Sequence, residues 1–340
     1  MPRLAGSRKS ELDPVADLRR QVGLLRPARV EPGDFVITHS ELDTFRQCPL
    51  KHHLAYTLRW DRPSQPGEAL TIGALWHQVL QTYYEVLAKV PAGERTQELI
   101  QKAQARADFM WLVDEHGQQS DDQALVSWML DGHRRYWGVE RTWEIVAVEQ
   151  VMRVRLPNPA TGRRTPFLLQ FKADLLVWDL DLRAPVLIDH KSASNFSRPN
   201  EIAISDQFGL YTWGMRELGV PVLQSLRSDA RTQRNVGDLR GEKLMPLNTR
   251  FQRVPSYRTE VELLSIVQDA LSTASVAYAD LPVYSSPDPN TCSWKCRFLG
   301  AHLLQRKGVP IEKTLRDDPL FHVRERKHDY YPMIEGDERA

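Results

Sequence analysis

PFLLQFKADLLVWDLDLRAPVLIDHKS, residues 166–192, decides how this chain is read. Two apolar runs, PFLLQFKADLLVWD and APVLIDHKS, flank a turn around Asp179–Ala184, and their composition predicts two strands. Each run carries an acid. Asp174 interrupts the first, Asp189 ends the apolar part of the second, and Lys191 follows two positions later. Strand side chains alternate with period two, so Asp189 and Lys191 can share one side. If the strands are antiparallel neighbours, Asp174 and Asp189 converge on one hard divalent cation. Mg2+ prefers oxygen ligands and keeps several waters, one of which can act as a nucleophile. Lys191 then suits orienting that water or offsetting charge on a phosphate. Read from strand pattern alone, the plainer alternative is a hairpin with surface acids at its ends and a solvated lysine.

Working outward, WEIVAVEQVMRVRLP (143–157) is strand-like and ends in a Pro/Asn/Gly turn at 157–162. Glu149 in this strand is either a further acidic member of the site or a solvated strand position. Upstream, TIGALWHQVLQTYYEVLAKV (71–90) reads as a strong amphipathic helix carrying His77, with Gly73 one turn before it. A small residue there permits close approach of another element, whereas a lone His on an apolar helix is more often a packed core residue. Further helix is expected over about 95–138, interrupted near Glu115–Asp121. Ser40 suits an N-cap for the helix in SELDTFRQCPLKHHL (40–54), and Pro49 breaks that helix or opens a second. Downstream, Asp206–Leu218 is helical, and Gln207 and Tyr211, four apart, share one face. Residues 223–249 read as a strand–loop–strand insert, and Glu260–Asp280 as a long helix.

The 340 residues are 41% hydrophobic and 26% charged, enough apolar material for a sizeable core, which excludes wholesale disorder. Lys plus Arg number 45 against 44 Asp plus Glu, so any nucleic-acid site must be a local concentration of charge. No signal-peptide core and no run of about 18 apolar residues is present, so a soluble protein in a reducing compartment, the cytoplasm, is expected. No GxGxxG or GxxxxGK[ST] appears, which leaves no nucleotide fingerprint.

SELDTFRQCPLKHHL, GALWH, FKADLLVW, VLIDHKS and QFGLY, in this order and at these separations, resemble the PD-(D/E)XK nuclease superfamily. The likeness is to the branch related to the RecB nuclease domain, CRISPR adaptation nucleases and phage exonucleases, and covers roughly residues 38–215. It implies an α/β, restriction-endonuclease-like core: a central mixed sheet flanked by helices, with a helical insert and a C-terminal metal-binding segment. It assigns metal binding (Mg2+ or Mn2+) to His77, Asp174 and Asp189, with the main-chain carbonyl of His190 as a further ligand. Lys191 becomes catalytic, and Gln207 and Tyr211 match the positions associated with DNA and active-site positioning. His190 stands where many relatives carry an aromatic, and its side chain should point away from the metal. Boundaries follow: 1–35 weakly structured, 36–290 nuclease core with its helical insert at about 90–140, 291–310 a Cys/His segment closing onto Cys48, and 311–340 a charged tail.

The chain has three cysteines, so no disulfide framework supports the fold. Cys292 and Cys296 form C-x3-C, and His302 follows after five residues. With Cys48 they offer three thiolates and an imidazole, which suit zinc and can also bind an iron–sulfur cluster; buried inert cysteines are the alternative. The resemblance implies a [4Fe-4S] cluster, held in several members by one cysteine before the core and three after it. This sequence departs at the fourth position, where His302 stands, and Zn2+ is the alternative. Either group would tie residues 48 and 292 together across a long loop.

Candidate phosphate contacts are Arg227, Arg231, Arg234, Arg240, Lys243, Arg250, Arg253, Arg258, Lys295, Arg297, Arg306 and Lys307. Trp76, Trp178, Phe196, Trp213 and Trp294 are candidate stacking platforms, although most should be core. The insert between His77 and Glu149 is expected to cover the active site. The expected activity is a metal-dependent deoxyribonuclease, an exonuclease in phage or cellular recombination or repair, working alone or beside a separate helicase or recombination protein, with no membrane partner. The competing readings are a non-catalytic DNA-binding or assembly protein with the same fold, and a zinc-stapled hydrolase of another substrate.

Overall fold

The strand from Arg164 to Asp179 organises the sheet of the computed structural model, which describes residues 13–63, 68–233 and 246–324. In chain order the elements are α1 (Pro14–Leu24), β1 (Phe35–Ile37), α2 (His39–Gln47), α3 (Pro49–His52), β2 (Trp60–Asp61), α4 (Ala69–Leu87), α5 (Gln97–Trp111) and α6 (Asp121–Trp137). Then come β3 (Trp143–Pro157), β4 (Arg164–Asp179), β5 (Ala184–Ala193), α7 (Pro199–Ala203), α8 (Asp206–Glu217), β6 (Gln224–Arg231) and β7 (Phe251–Ser256). The chain continues with α9 (Glu260–Ala277), α10 (Pro289–Lys295), α11 (Leu299–Gln305), α12 (Ile311–Asp317) and β8 (His322–Val323).

β3 runs antiparallel along the length of β4, and the other edge of β4 is shared. β5 takes its far end, from Leu175 opposite Ile188 to Asp179 opposite Ala184, and β1 lies parallel to its near end, from Phe167 to Leu169. Past Ile188, β5 leaves β4 and pairs only with the parallel strand β6, which in turn carries β7. The sheet is therefore mixed and forks between β4 and β5.

Helices cover both faces. Leu18 and Val22 of α1, Leu42 of α2, Leu210 and Trp213 of α8 and Leu263 and Val267 of α9 pack one side, against Leu169, Phe171 and Ala173 of β4. Trp76, Val79 and Tyr83 of α4, with α5 and α6, pack the other against Leu175 and Val177. Residues 169, 171 and 173 would share a face with 175 and 177 in a regular strand. They do not, so the alternation slips at Asp174. Close layer contact has a sequence cause too: a Cβ on Gly214 of α8 would come 2.6 Å from the Phe171 ring.

Several expectations are corrected. The first 35 residues are not all weakly structured, because Asp13 caps α1 and two apolar residues one turn apart dock on the sheet. Thr38, not Ser40, caps α2, its hydroxyl accepting the Glu41 N–H; Pro49 then opens α3. β6 and β7 extend the main sheet rather than forming an insert. The charged C-terminal stretch is ordered through Arg324: α12 docks through Leu315, and β8 pairs with β2. Among the described residues, no helix is long and apolar enough to cross a membrane.

Candidate active site

The fork in the sheet places the acids. In the β3–β4 ladder, Val148 lies opposite Leu175 and Gln150 opposite Ala173, so Glu149 faces Asp174. In the β4–β5 ladder, the position after the Leu175–Ile188 pair is Asp174 with Asp189. One carboxylate from each of three adjacent strands thus forms a row across the sheet. Where the β4–β5 ladder ends, Asp174 Oδ2 accepts the His190 backbone N–H at 2.8 Å, a side chain continuing what the backbone leaves off. Glu149 adopts φ +50°, a left-handed conformation rare for a residue with a side chain and costing about 1–3 kcal/mol.

α4 brings His77 over this row. Its Nδ1 lies 3.4 Å from Asp174 Oδ2 and 3.7 Å from Glu149 Oε1. The ligand atoms of His77, Glu149 and Asp174 all fall within 4.8 Å of one another. Two carboxylates and an imidazole suit a divalent cation. Gly73 meets β5 only gently: a Cβ there would touch Ser192 Oγ at 3.5 Å. Asp189 lies beside this compact group and has partners of its own. Lys191 donates to it at 3.0 Å and Gln207 at 2.9 Å. Tyr211, one turn on from Gln207, stacks on Phe171 at 5.1 Å and also lines the cleft. Lys172, on β4 two residues before Asp174, pairs with Glu149.

Burial alone would depress the His77 imidazole, but Asp174 and Glu149 outweigh it and hold its pKa above 6.5. Burial lifts the Asp189 carboxyl above its ordinary value, opposed by Lys191 and reinforced by Asp174. Lys191 also loses charge stability to burial, yet Asp189 and Asp174 raise it overall. The His190 ring lies on the opposite face, stacked on Tyr84 at 5.4 Å and pushed well below its ordinary pKa by burial. Its side chain takes no part in the cleft, as expected from the sequence.

The cleft is about 740 Å³. His77, Glu149, Lys172, Asp174, Asp189, Lys191 and Gln207 line it at one end; Lys51, Tyr56, Asp61, Arg297 and Arg324 do so at the other. Arg297 pairs with Asp61, and Arg324 Nε stands 3.8 Å from the same carboxylate. Among the described residues lining this end, three cations stand against one acid. No lining residue comes from α5 or α6, so the insert packs behind the sheet and does not cover the site.

Other expected contacts are placed elsewhere. Arg250 is buried over Trp128, and Arg253 lies between Trp137 and Trp143 and pairs with Glu140. Arg258 donates to the carbonyls of Ile202 and Ala203. Arg227 is bound to Asp229, and Arg231 lies over Phe196. Trp76 and Trp213 are core, Trp178 is partly buried against the same core, and Arg306 and Lys307 are exposed on the surface. Arg234, Arg240 and Lys243 lie outside the described residues, as do the side chains of Trp294 and Lys295.

Cys48, Cys292, Cys296 and His302 all line a second cavity of about 260 Å³, which also touches Lys51 and Phe298. Burial pushes the Cys296 thiol up; the Phe298 backbone N–H and Lys51 pull it down. The three thiols do not draw together as tightly as the carboxylate–histidine set. Leu54, Phe298, Ala301 and Leu315 form a small core beside the cavity, so the segments around residues 54 and 298–315 meet there through apolar contact as well.

The model of the PD-(D/E)XK nuclease superfamily matches residues 36–298. The chain belongs to that superfamily. The match spans the main sheet, the cysteine pair and every cleft-lining residue but Arg324. Solved structures similar to it include the crystal structure of SSO0001, at 10% identity and TM-score 0.35, covering 84% of this chain and 91% of that one. Another is a "Putative exonuclease" from Eubacterium rectale, at 10% identity and TM-score 0.43, covering 87% of this chain and 99% of that one. No curated protein matches the chain.

Sequence reasoning left Glu149 undecided and missed Lys172, Lys51 and Arg324. The period-two rule could have found Lys172 beside Asp174. Nothing local marks Arg324.

Proposed function

We propose that this protein is a Mg2+- or Mn2+-dependent deoxyribonuclease, an exonuclease acting on DNA ends in phage or cellular recombination or repair. The observation that carries this reading is the joining of the His77–Glu149–Asp174 set to an Asp189–Lys191 pair in a cleft whose other end is cationic. When bound, a divalent cation would supply Lewis-acid support for charge on the phosphate oxygens. The protein's own groups do the rest. The His190 N–H fixes the Asp174 carboxylate, and Gln207 fixes that of Asp189. Asp189 in turn holds the Lys191 ammonium at the cleft, where it offsets charge developing on the phosphate. Lys51, Arg297 and Arg324 are placed to hold strand phosphates away from the reacting bond. The His190 carbonyl is a further ligand on this reading.

The cysteine cavity is the place for a structural metal group, and we favour [4Fe-4S] over Zn2+. The preference rests on the likeness to family members that carry such a cluster; Cys48, Cys292 and Cys296, with His302 as the fourth ligand, all line the cavity of about 260 Å³. Such a protein would work in the cytoplasm, of a host if phage-encoded, alone or with a helicase or recombination partner.

The test is end-labelled linear, nicked and circular DNA incubated with Mg2+ or Mn2+. Linear DNA should be degraded from its ends by the wild type and not by Asp189→Ala. Unchanged cleavage by D189A sinks the assigned site, and intact linear DNA with wild type sinks the activity. Anaerobic purification with metal analysis and absorption spectroscopy separates the two metal groups; stoichiometric zinc without iron rules out the cluster.

A further inference from the structure

Lys172 is the charged residue at this site that the catalytic reading leaves unused. It lies on β4 two positions before Asp174 and, like Asp174, lines the cleft. Its ammonium pairs with Glu149 Oε2, while Glu149 Oε1 faces His77. The carboxylate is nearly covered, with 7% of its side chain exposed, and the lysine keeps 32%. Lys191 differs, because its partner Asp189 lies outside the compact triad and holds it through both oxygens. Among the described cations, Lys172 is the one ion-paired to a member of the compact His77–Glu149–Asp174 group.

The charge balance gives this pairing a consequence. Glu149, Asp174 and Asp189 carry three negative charges, and Lys172 and Lys191 two positive ones. With His77 neutral the site is −1; a dication makes it +1, which complements the single charge of a phosphodiester. Without Lys172 the same site would be −2 when empty and neutral when loaded. It would attract a dication more strongly and a phosphate less.

We propose that Lys172 is a built-in competitor for the metal: its ammonium occupies Glu149 until a divalent cation displaces it, and the released charge then serves the substrate phosphate. The second half rests on the nuclease reading; the first does not.

The test measures Mn2+ affinity by calorimetry, with no DNA present, for wild type, Lys172→Met, Lys172→Gln and Lys172→Arg. K172M and K172Q should bind Mn2+ tighter by on the order of tenfold, and K172R should stay near wild type. In saturating Mn2+, KM for linear DNA should rise in K172M and K172Q more than kcat falls. Mn2+ affinity that is unchanged or weaker in both neutral variants, with wild-type melting, overturns the proposal. Tighter Mn2+ binding without DNA cleavage by any form, wild type included, leaves the competition standing and removes the nuclease reading alone.

Discussion

Among the described residues, two clusters of side chains with metal-ligating chemistry are built in opposite ways. The carboxylate–histidine set rests on two hydrogen-bonded strands, β3 and β4, and a 19-residue helix, and its ligand atoms are gathered within 4.8 Å. The cysteine set is drawn from α3's entry, from α10's helix and exit, and from α11, short elements around a small apolar core. These strands cannot move singly, because β3 is laddered along nearly the whole of β4 and β4 is held on its other edge as well. Short helices around a small core can. The first cluster is therefore expected to hold its shape whether loaded or empty, and the second to depend on its guest.

The comparison breaks most visibly at Asp174. Asp174→Asn keeps an oxygen for the His190 N–H but removes the charge. Cleavage should fall by on the order of 10³-fold or more, with little change in melting temperature. A thermal melt and a cleavage assay on one preparation check both halves. If D174N instead unfolds, the sheet is not the rigid platform claimed for it.

The cysteines should behave in reverse. Replacing Cys48, Cys292 and Cys296 together with alanine should expose residues 289–324 to hydrogen exchange while β3, β4 and β5 stay protected. Cleavage should drop about tenfold, since Arg297 and Arg324 reach the cleft from that segment. Equal loss of protection throughout would show one cooperative unit rather than two.

A smaller effect sharpens the account of His77. Its pKa is raised in the metal-free fold, so the stabilisation from its protonated form is complete below 6.5 and lost as pH rises through the folded value. Metal binding needs the unprotonated ring and runs the other way, weakening as pH falls through the same range. Melting of the metal-free protein and Mn2+ titration across pH 5.5–8 (roughly the range of a shifted imidazole) should show these opposed slopes. His77→Gln should flatten both.

Much of the sheet is legible in the sequence because strands and amphipathic helices leave periodic marks. WEIVAVEQVMRVRLP is one strand from end to end, and the two strands around Asp179–Ala184 form the hairpin expected of them. α1 was hidden because only Leu18 and Val22 of its residues are buried, too few to show a face. β6 is the strand expected at the start of 223–249, but its place in the main sheet was hidden because its buried positions include Ser225, Ser228 and Asp229, polar residues satisfied by partners such as Thr212, Arg227 and Gln252. Arg250 and Arg253 looked like phosphate contacts since nothing in a sequence says that tryptophans will enclose them.

By itself, then, the sequence determined the strands, the helix that bears His77, and the identities of the acids and of the lysine beside Asp189. Those follow from local periodicity and from spacings within one element. Tertiary structure alone decided that β4 and β5 part at Asp174, that Glu149 meets His77, and that Lys172 occupies it. It alone carried Arg324 to a cleft whose other residues begin near position 38. Such contacts depend on which strands pair and where they separate, and that choice is made by burial over the whole sheet rather than by any single stretch of chain.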